Sequence, residues 1–125
     1  MSKARGFTLI ELMVTLMIAA IVATIAVPAY REAVKRGNRR AAQSVMMEIV
    51  NRQHQYFIAN RAYATVAELA YTLPPDVSTN YTYDIALDAG PPPTFIVNFT
   101  AVAGQAGDGD LSISSLGDKL PAAKW

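Results

Sequence analysis

From Leu12 to Val27 every position is apolar except Thr15 and Thr24. Such a run offers water no polar face, so it predicts a helix surrounded by lipid or by other helices. Its length sits at the edge of what crosses a bilayer, roughly 20 residues. One acid, Glu11, stands at its start. Further on the pattern changes. Ala42, Val45, Met46, Ile49, Val50, Gln53, Tyr56 and Phe57 recur at three- and four-residue spacing, while Arg40, Gln43, Ser44, Glu48, Asn51, Arg52 and Gln55 fill the other side. This is an amphipathic helix with one core-facing stripe. Met46 and Met47 are adjacent, so only one of them can face the core squarely. Pro28 removes a backbone donor and predicts a kink, and Gly37-Asn38 marks a weak point. Neither ends the helix, which is expected to run from Phe7 to about Ala59.

Beyond Asn60 the period shortens. Thr65-Val66-Ala67-Glu68 reads as a capping box opening a short helix through Ala70, and Pro74-Pro75 is expected to stop it. Tyr81, Tyr83, Ile85 and Leu87 then alternate with polar or small residues, a half-buried strand. Phe95, Val97, Phe99 and Ala101 form a second strand after a proline-rich loop, and Leu111 and Ile113 a third after a glycine-rich turn at residues 103–109. Leu116-Gly117-Asp118-Lys119 reads as a turn before the tail. Consecutive strands with short connections predict an antiparallel meander whose apolar face packs on the stripe of residues 45–57. The fold class is therefore α+β: a long N-terminal helix packed against a small antiparallel sheet at about residues 81–115.

Composition narrows the chemistry. The chain has 125 residues, a formal net charge of +1 and no cysteine. Bulk charge does not point to nucleic acid, and thiolate metal sites, cysteine nucleophiles and disulfides are excluded. The basic residues between Arg31 and Arg40 are either a collar at lipid headgroups or neighbouring chains, or a solvated helix face. Arg52, Arg61, Lys119 and Lys124 are too scattered to form a stripe for DNA.

Glu11 is the outstanding residue. A carboxylate at the centre of a membrane costs about 2.5 to 3.5 kcal/mol and is a functional candidate by default. A secretory signal would place a small residue after a shorter apolar run, whereas here Gly6 lies before it. The basic leader Met1-Ser2-Lys3-Ala4-Arg5, then Gly6-Phe7-Thr8-Leu9-Ile10-Glu11, the apolar segment and Pro28 together resemble the type IV pilin family. The ordinary alternative is a signal anchor with an accidental glutamate.

The resemblance implies a prepilin with a leader at residues 1–6, a membrane and filament-core helix at 7–30 and a periplasmic globular domain at 31–125. A prepilin peptidase would cut between Gly6 and Phe7 and methylate the new amine of Phe7. Glu11 would pair with the amine of a neighbouring subunit, and Pro28 would shape the helix. The implied partners are other pilin subunits, the prepilin peptidase, the inner-membrane assembly machinery and the membrane. The implied locations are the inner membrane first and the extracellular pilus afterwards. A positive-inside count, with Lys3 and Arg5 against Arg31, Lys35, Arg36, Arg39 and Arg40, runs against that orientation.

Asn60-Arg61-Ala62-Tyr63, Gly109-Asp110-Leu111-Ser112-Ile113 and the ending Pro121-Ala122-Ala123-Lys124-Trp125 resemble small minor pilins. The expected function is thus a minor pilin built into a helical filament. The alternatives are a pseudopilin of type II secretion and a pilin that captures DNA during transformation.

No cofactor and no catalytic residue are expected. His54 lies off the apolar stripe with no marked nucleophile or acid beside it, so it reads as a surface residue. Asp108 and Asp110 sit among glycines as in a calcium loop, yet the spacing of an EF-hand is absent and a polar turn explains them. Asn80-Tyr81-Thr82 and Asn98-Phe99-Thr100 match the glycosylation sequon, a pattern common by chance.

Overall fold

The computed structural model describes residues 6–125. Met1 to Arg5, and with them most of the expected leader, lie outside the described residues. Helix α1 spans Leu9–Asn60 with Pro28 inside it. Gly37-Asn38 does not interrupt it, because tertiary contacts at Asn38 and Arg39 hold the flanking turns. The chain divides into two compact units, Met1–Val34 and Lys35–Trp125.

The first unit is the apolar half of α1. Its side chains are exposed all round, Phe7, Leu9, Leu16 and Ile25 among them. It contains an 18-residue window of mean hydropathy 2.5, none of it buried, long and apolar enough to cross a membrane. The two polar residues of the run turn their hydroxyls back on the helix. Thr15 Oγ1 donates to the Glu11 carbonyl at 2.7 Å and Thr24 Oγ1 to the Ile21 carbonyl at 2.6 Å. Each hydroxyl is thereby satisfied without water, as a lipid setting requires.

In the second unit the stripe and the sheet share one core. Ala42, Met46 and Ile49 of α1 are fully buried, and Met47 points outward. Gln53, deep in the same stripe, donates Nε2 to the Ala64 carbonyl at 2.6 Å and accepts from Ala64 N at 2.8 Å. A side-chain amide thus replaces the strand partner that the returning chain lacks. Arg61, with φ 58°, ends α1 in a left-handed turn, and its N–H reaches the Phe57 carbonyl at 2.8 Å.

Helix α2, Val66–Leu69, opens on the expected capping box between Thr65 and Glu68. Pro74-Pro75 does more than stop it. Pro75 is the first residue of α3, Pro75–Ser78, because a proline needs no N–H in the first turn and its φ is already helical.

The sheet is a four-stranded antiparallel meander, β1 Tyr81–Asp88, β2 Thr94–Ala101, β3 Leu111–Ser114 and β4 Lys119–Leu120. Its register sets Ile85 opposite Val97 and Val97 opposite Ile113, so all three meet α1 on one face. Strand β4 replaces part of the expected tail; two residues are too few to show alternation. Gly117, at φ 90°, allows the turn that returns β4 along β3. The glycine-rich segment is a 3₁₀ helix, Ala103–Asp108, rather than an open turn. It buries Gln105 and Asp108, which organise the polar contacts of the lower core.

Candidate functional site

Gly6 and Phe7 precede α1 in irregular, exposed backbone. A Cβ built on Gly6 would meet nothing within 4 Å. The described chain therefore places no steric demand for glycine there. Thr8 caps the helix. Its N–H and its hydroxyl both reach Glu11 Oε2 at 2.8 Å, while Glu11 N–H reaches Thr8 Oγ1 at 3.3 Å. This is a second capping box, legible as Thr8-x-x-Glu11 but overshadowed at the sequence level by the oddity of an acid before an apolar run. One carboxylate oxygen is thus engaged within the chain, while Oε1 bonds to no described residue. A shallow groove of about 340 Å³ lies beside it, lined by Phe7, Ile10, Glu11, Val14 and Thr15. A carboxylate among the lining of a mostly apolar groove is a place where a cation from another chain can be held. Pro28 lies in the exposed part of α1, and its missing N–H leaves the carbonyl four residues back without a helical donor.

The second constellation lies in the globular unit. Arg39 grips Asp108 as a fork. Nε reaches Oδ2 at 2.7 Å and Nη2 bonds to Oδ1. Gln105 Nε2 contacts Asp108 Oδ2 at 3.1 Å, the Tyr81 hydroxyl at 3.1 Å and the Lys35 carbonyl at 3.0 Å. Asn38 Nδ2 donates to Gln105 Oε1 at 3.2 Å, Lys124 Nζ lies 3.9 Å from Asp108, and Gln43 Nε2 holds the Lys124 carbonyl at 2.7 Å. The Arg39 guanidinium holds the Asp108 carboxyl below its ordinary value, with Lys124 and Gln105 adding to the effect. Burial pushes the Tyr81 hydroxyl up.

This network fastens the end of the chain to α1 without a disulfide. Asp108 already faces two cations, and Asp110 spends Oδ1 on the Ala101 N–H at 2.9 Å. Among the described residues no cluster of three or more His, Asp or Glu could hold a metal ion. Sequence reasoning missed Gln105 and Asp108 as buried residues. The signal available was a glutamine and an aspartate three apart within an otherwise small-residue segment.

The scattered cations do not converge. Arg52 pairs with Glu48 at 2.9 Å and lies 4.7 Å over the Tyr71 ring. The Tyr71 hydroxyl, ahead of Arg52, holds the Glu48 carboxyl below its ordinary value. Lys119 lies 4.9 Å over the Trp125 ring. Arg61 remains exposed at the end of α1. His54 is exposed on the helix with its ring edge-on to Tyr63 and Phe95. Asn80 of the first sequon donates to the Asp76 carbonyl at 2.9 Å, and Asn98 of the second lies in the middle of β2.

Comparison with known proteins converges on the same two regions. The family model described as prokaryotic N-terminal methylation motif matches residues 1–27, and that of the type IV minor pilin ComP, DNA uptake sequence receptor, matches residues 28–112. The type IV wide pilus major component PilA4 of Thermus thermophilus is 37% identical over 65 residues, 52% of this chain and 50% of that protein. The chain thus spans about half the length of that relative. An acid at the head of an exposed apolar helix, an α-spine under an antiparallel meander and a match across residues 28–112 place this chain in the type IV minor pilin ComP family.

Proposed function

We propose that the chain is a minor-pilin subunit of a type IV pilus, made as a membrane-anchored precursor and built into a helical filament. The observation that carries this reading is the exposed apolar half of α1 with Glu11 at its head. Prepilin peptidase cuts between Gly6 and Phe7 and methylates the amine of Phe7. Since nothing in the described chain crowds Gly6, the demand for glycine comes from the peptidase. The new amine is a cation, and Oε1 of Glu11 is its acceptor on a neighbouring subunit. Removing Glu11 leaves that amine alone in a dry setting, at about 3 to 5 kcal/mol. Inner-membrane assembly proteins then lift the subunit out of the bilayer. No catalytic role is assigned to any residue.

The test is immunoblotting of sheared filaments against membrane fractions. Glu11→Ala is expected to be cleaved normally yet depleted from filaments, and Glu11→Asp to be intermediate because its reach is shorter. Wild-type incorporation of Glu11→Ala would remove the assembly role. A second reading, a pilin that captures DNA during uptake, is favoured by the description of the matching family. Arg36 and Arg40, both exposed and one turn apart on α1, are the cations it would use. A mobility shift that weakens steeply with salt and is lost in the double alanine variant would support it.

A further inference from the structure

Independent of assembly, the outer face of the sheet carries a groove of about 540 Å³ between β2, β3 and the tail. Asn98, Ser112 and Leu120 stand directly across three neighbouring strands in one row. Thr100, Asp110 and Pro121 line the groove beside them. Asn98 and Ser112 are half-buried in the middle of the sheet. Among the described residues no hydrogen bond engages the Asn98 amide or the hydroxyls of Thr100 and Ser112. Asparagine is depleted in strands, so its place in the middle of β2 on this face calls for an explanation. Asp110 is held in place by its bond from Ala101 N, and its Oδ2 has no partner among the described residues. Leu120, 61% exposed, and Pro121 leave an apolar wall uncovered next to these groups.

We propose that this groove binds a neutral saccharide. A sugar ring presents hydroxyls along its edge and a C–H face, which match the polar row and the apolar wall. Strands about 4.8 Å apart space the Asn98 and Ser112 groups to bracket one ring. The Asn98 amide donates and accepts, the Thr100 and Ser112 hydroxyls do either, and Asp110 accepts from two neighbouring hydroxyls. The lining holds no cation, and Asp110 repels anions. A phosphate, a uronate or a nucleic acid backbone is therefore disfavoured, which separates this surface from any cationic DNA-binding surface on the helix.

The experiment is amide NMR of the full chain in detergent micelles, titrated with galactose, N-acetylglucosamine and galacturonate. Galactose or N-acetylglucosamine is expected to give saturable shifts at Asn98, Thr100 and Ser112, with galacturonate weaker than galactose by about tenfold or more. Asn98→Ala should weaken the sugar that binds by about tenfold while the thermal midpoint stays in place. Asp110→Asn keeps the bond to Ala101 N and should erase most of the gap between galactose and galacturonate. Absence of saturable shifts with both neutral sugars would overturn the proposal. So would galacturonate binding as well as galactose, or a single-stranded oligonucleotide shifting the same amides.

Discussion

The two halves of α1 use similar apolar residues in different surroundings. Ile18 in the first unit is 57% exposed, while Ile49 in the second is fully buried. The difference does not lie in hydrophobicity per residue but in its arrangement. In the first half apolar side chains occupy every face, and even the two threonines turn their hydroxyls to the backbone. In the second half they occupy one stripe, and the sheet supplies the partner surface. One half finds its partner within the chain and is a folding element. The other awaits lipid or a neighbouring helix and is an assembly element.

The same substitution made in both halves should have unequal effects. Ile49→Ala should destabilise the globular unit by about 2 to 5 kcal/mol, since a cavity is left in a packed core. Ile18→Ala should leave its denaturant midpoint unchanged. Equal effects in detergent-extracted protein would mean that the halves are not independent. A related prediction removes residues 1–34 altogether. The remaining chain, which holds every core residue, should stay soluble with native circular dichroism and no response to a chelator.

Smaller effects are expected from polar contacts in the second unit. Asp108 titrates below its ordinary value of 3.8 in the folded chain because Arg39 grips it. Its stabilising contribution is therefore complete above that unfolded value and is lost as pH falls through the lower folded value. Asp108→Asn should flatten the acid limb of a stability-versus-pH curve below about pH 4. An unchanged acid limb would show that the network does not carry it. Gln53→Ala should cost about 1 to 3 kcal/mol by stranding the buried Ala64 peptide groups. Thr65→Ala should cost about 1 kcal/mol through the lost helix cap. Both are read from chemical denaturation.

Much of this was legible because period and punctuation are local. The stripe at Ala42, Met46 and Ile49, the alternation in β1 and β2 and the capping box at Thr65 all declare themselves within a few residues. Strand β4 did not, since a two-residue strand exists only through its pairing with Ser112 and Ile113. The burial of Gln105 and Asp108 was equally hidden, because it depends on Arg39 and Asn38 some seventy positions away. Glu11 was conspicuous from sequence, yet its bond to Thr8 was overlooked because one motif concealed another. The same pairing engages Oε2, while Oε1 meets no described residue.

The proposed processing of the apolar half for assembly falls between Gly6 and Phe7. Intact-mass measurement of the chain extracted from filaments and from membranes tests it most directly, with Gly6→Val alongside. The expected result is a mature chain that begins at Phe7 and carries one methyl group on its amine, and a Gly6→Val chain that retains the leader in the membrane. An unmethylated chain with its leader intact in filaments, or normal processing of Gly6→Val, would contradict it.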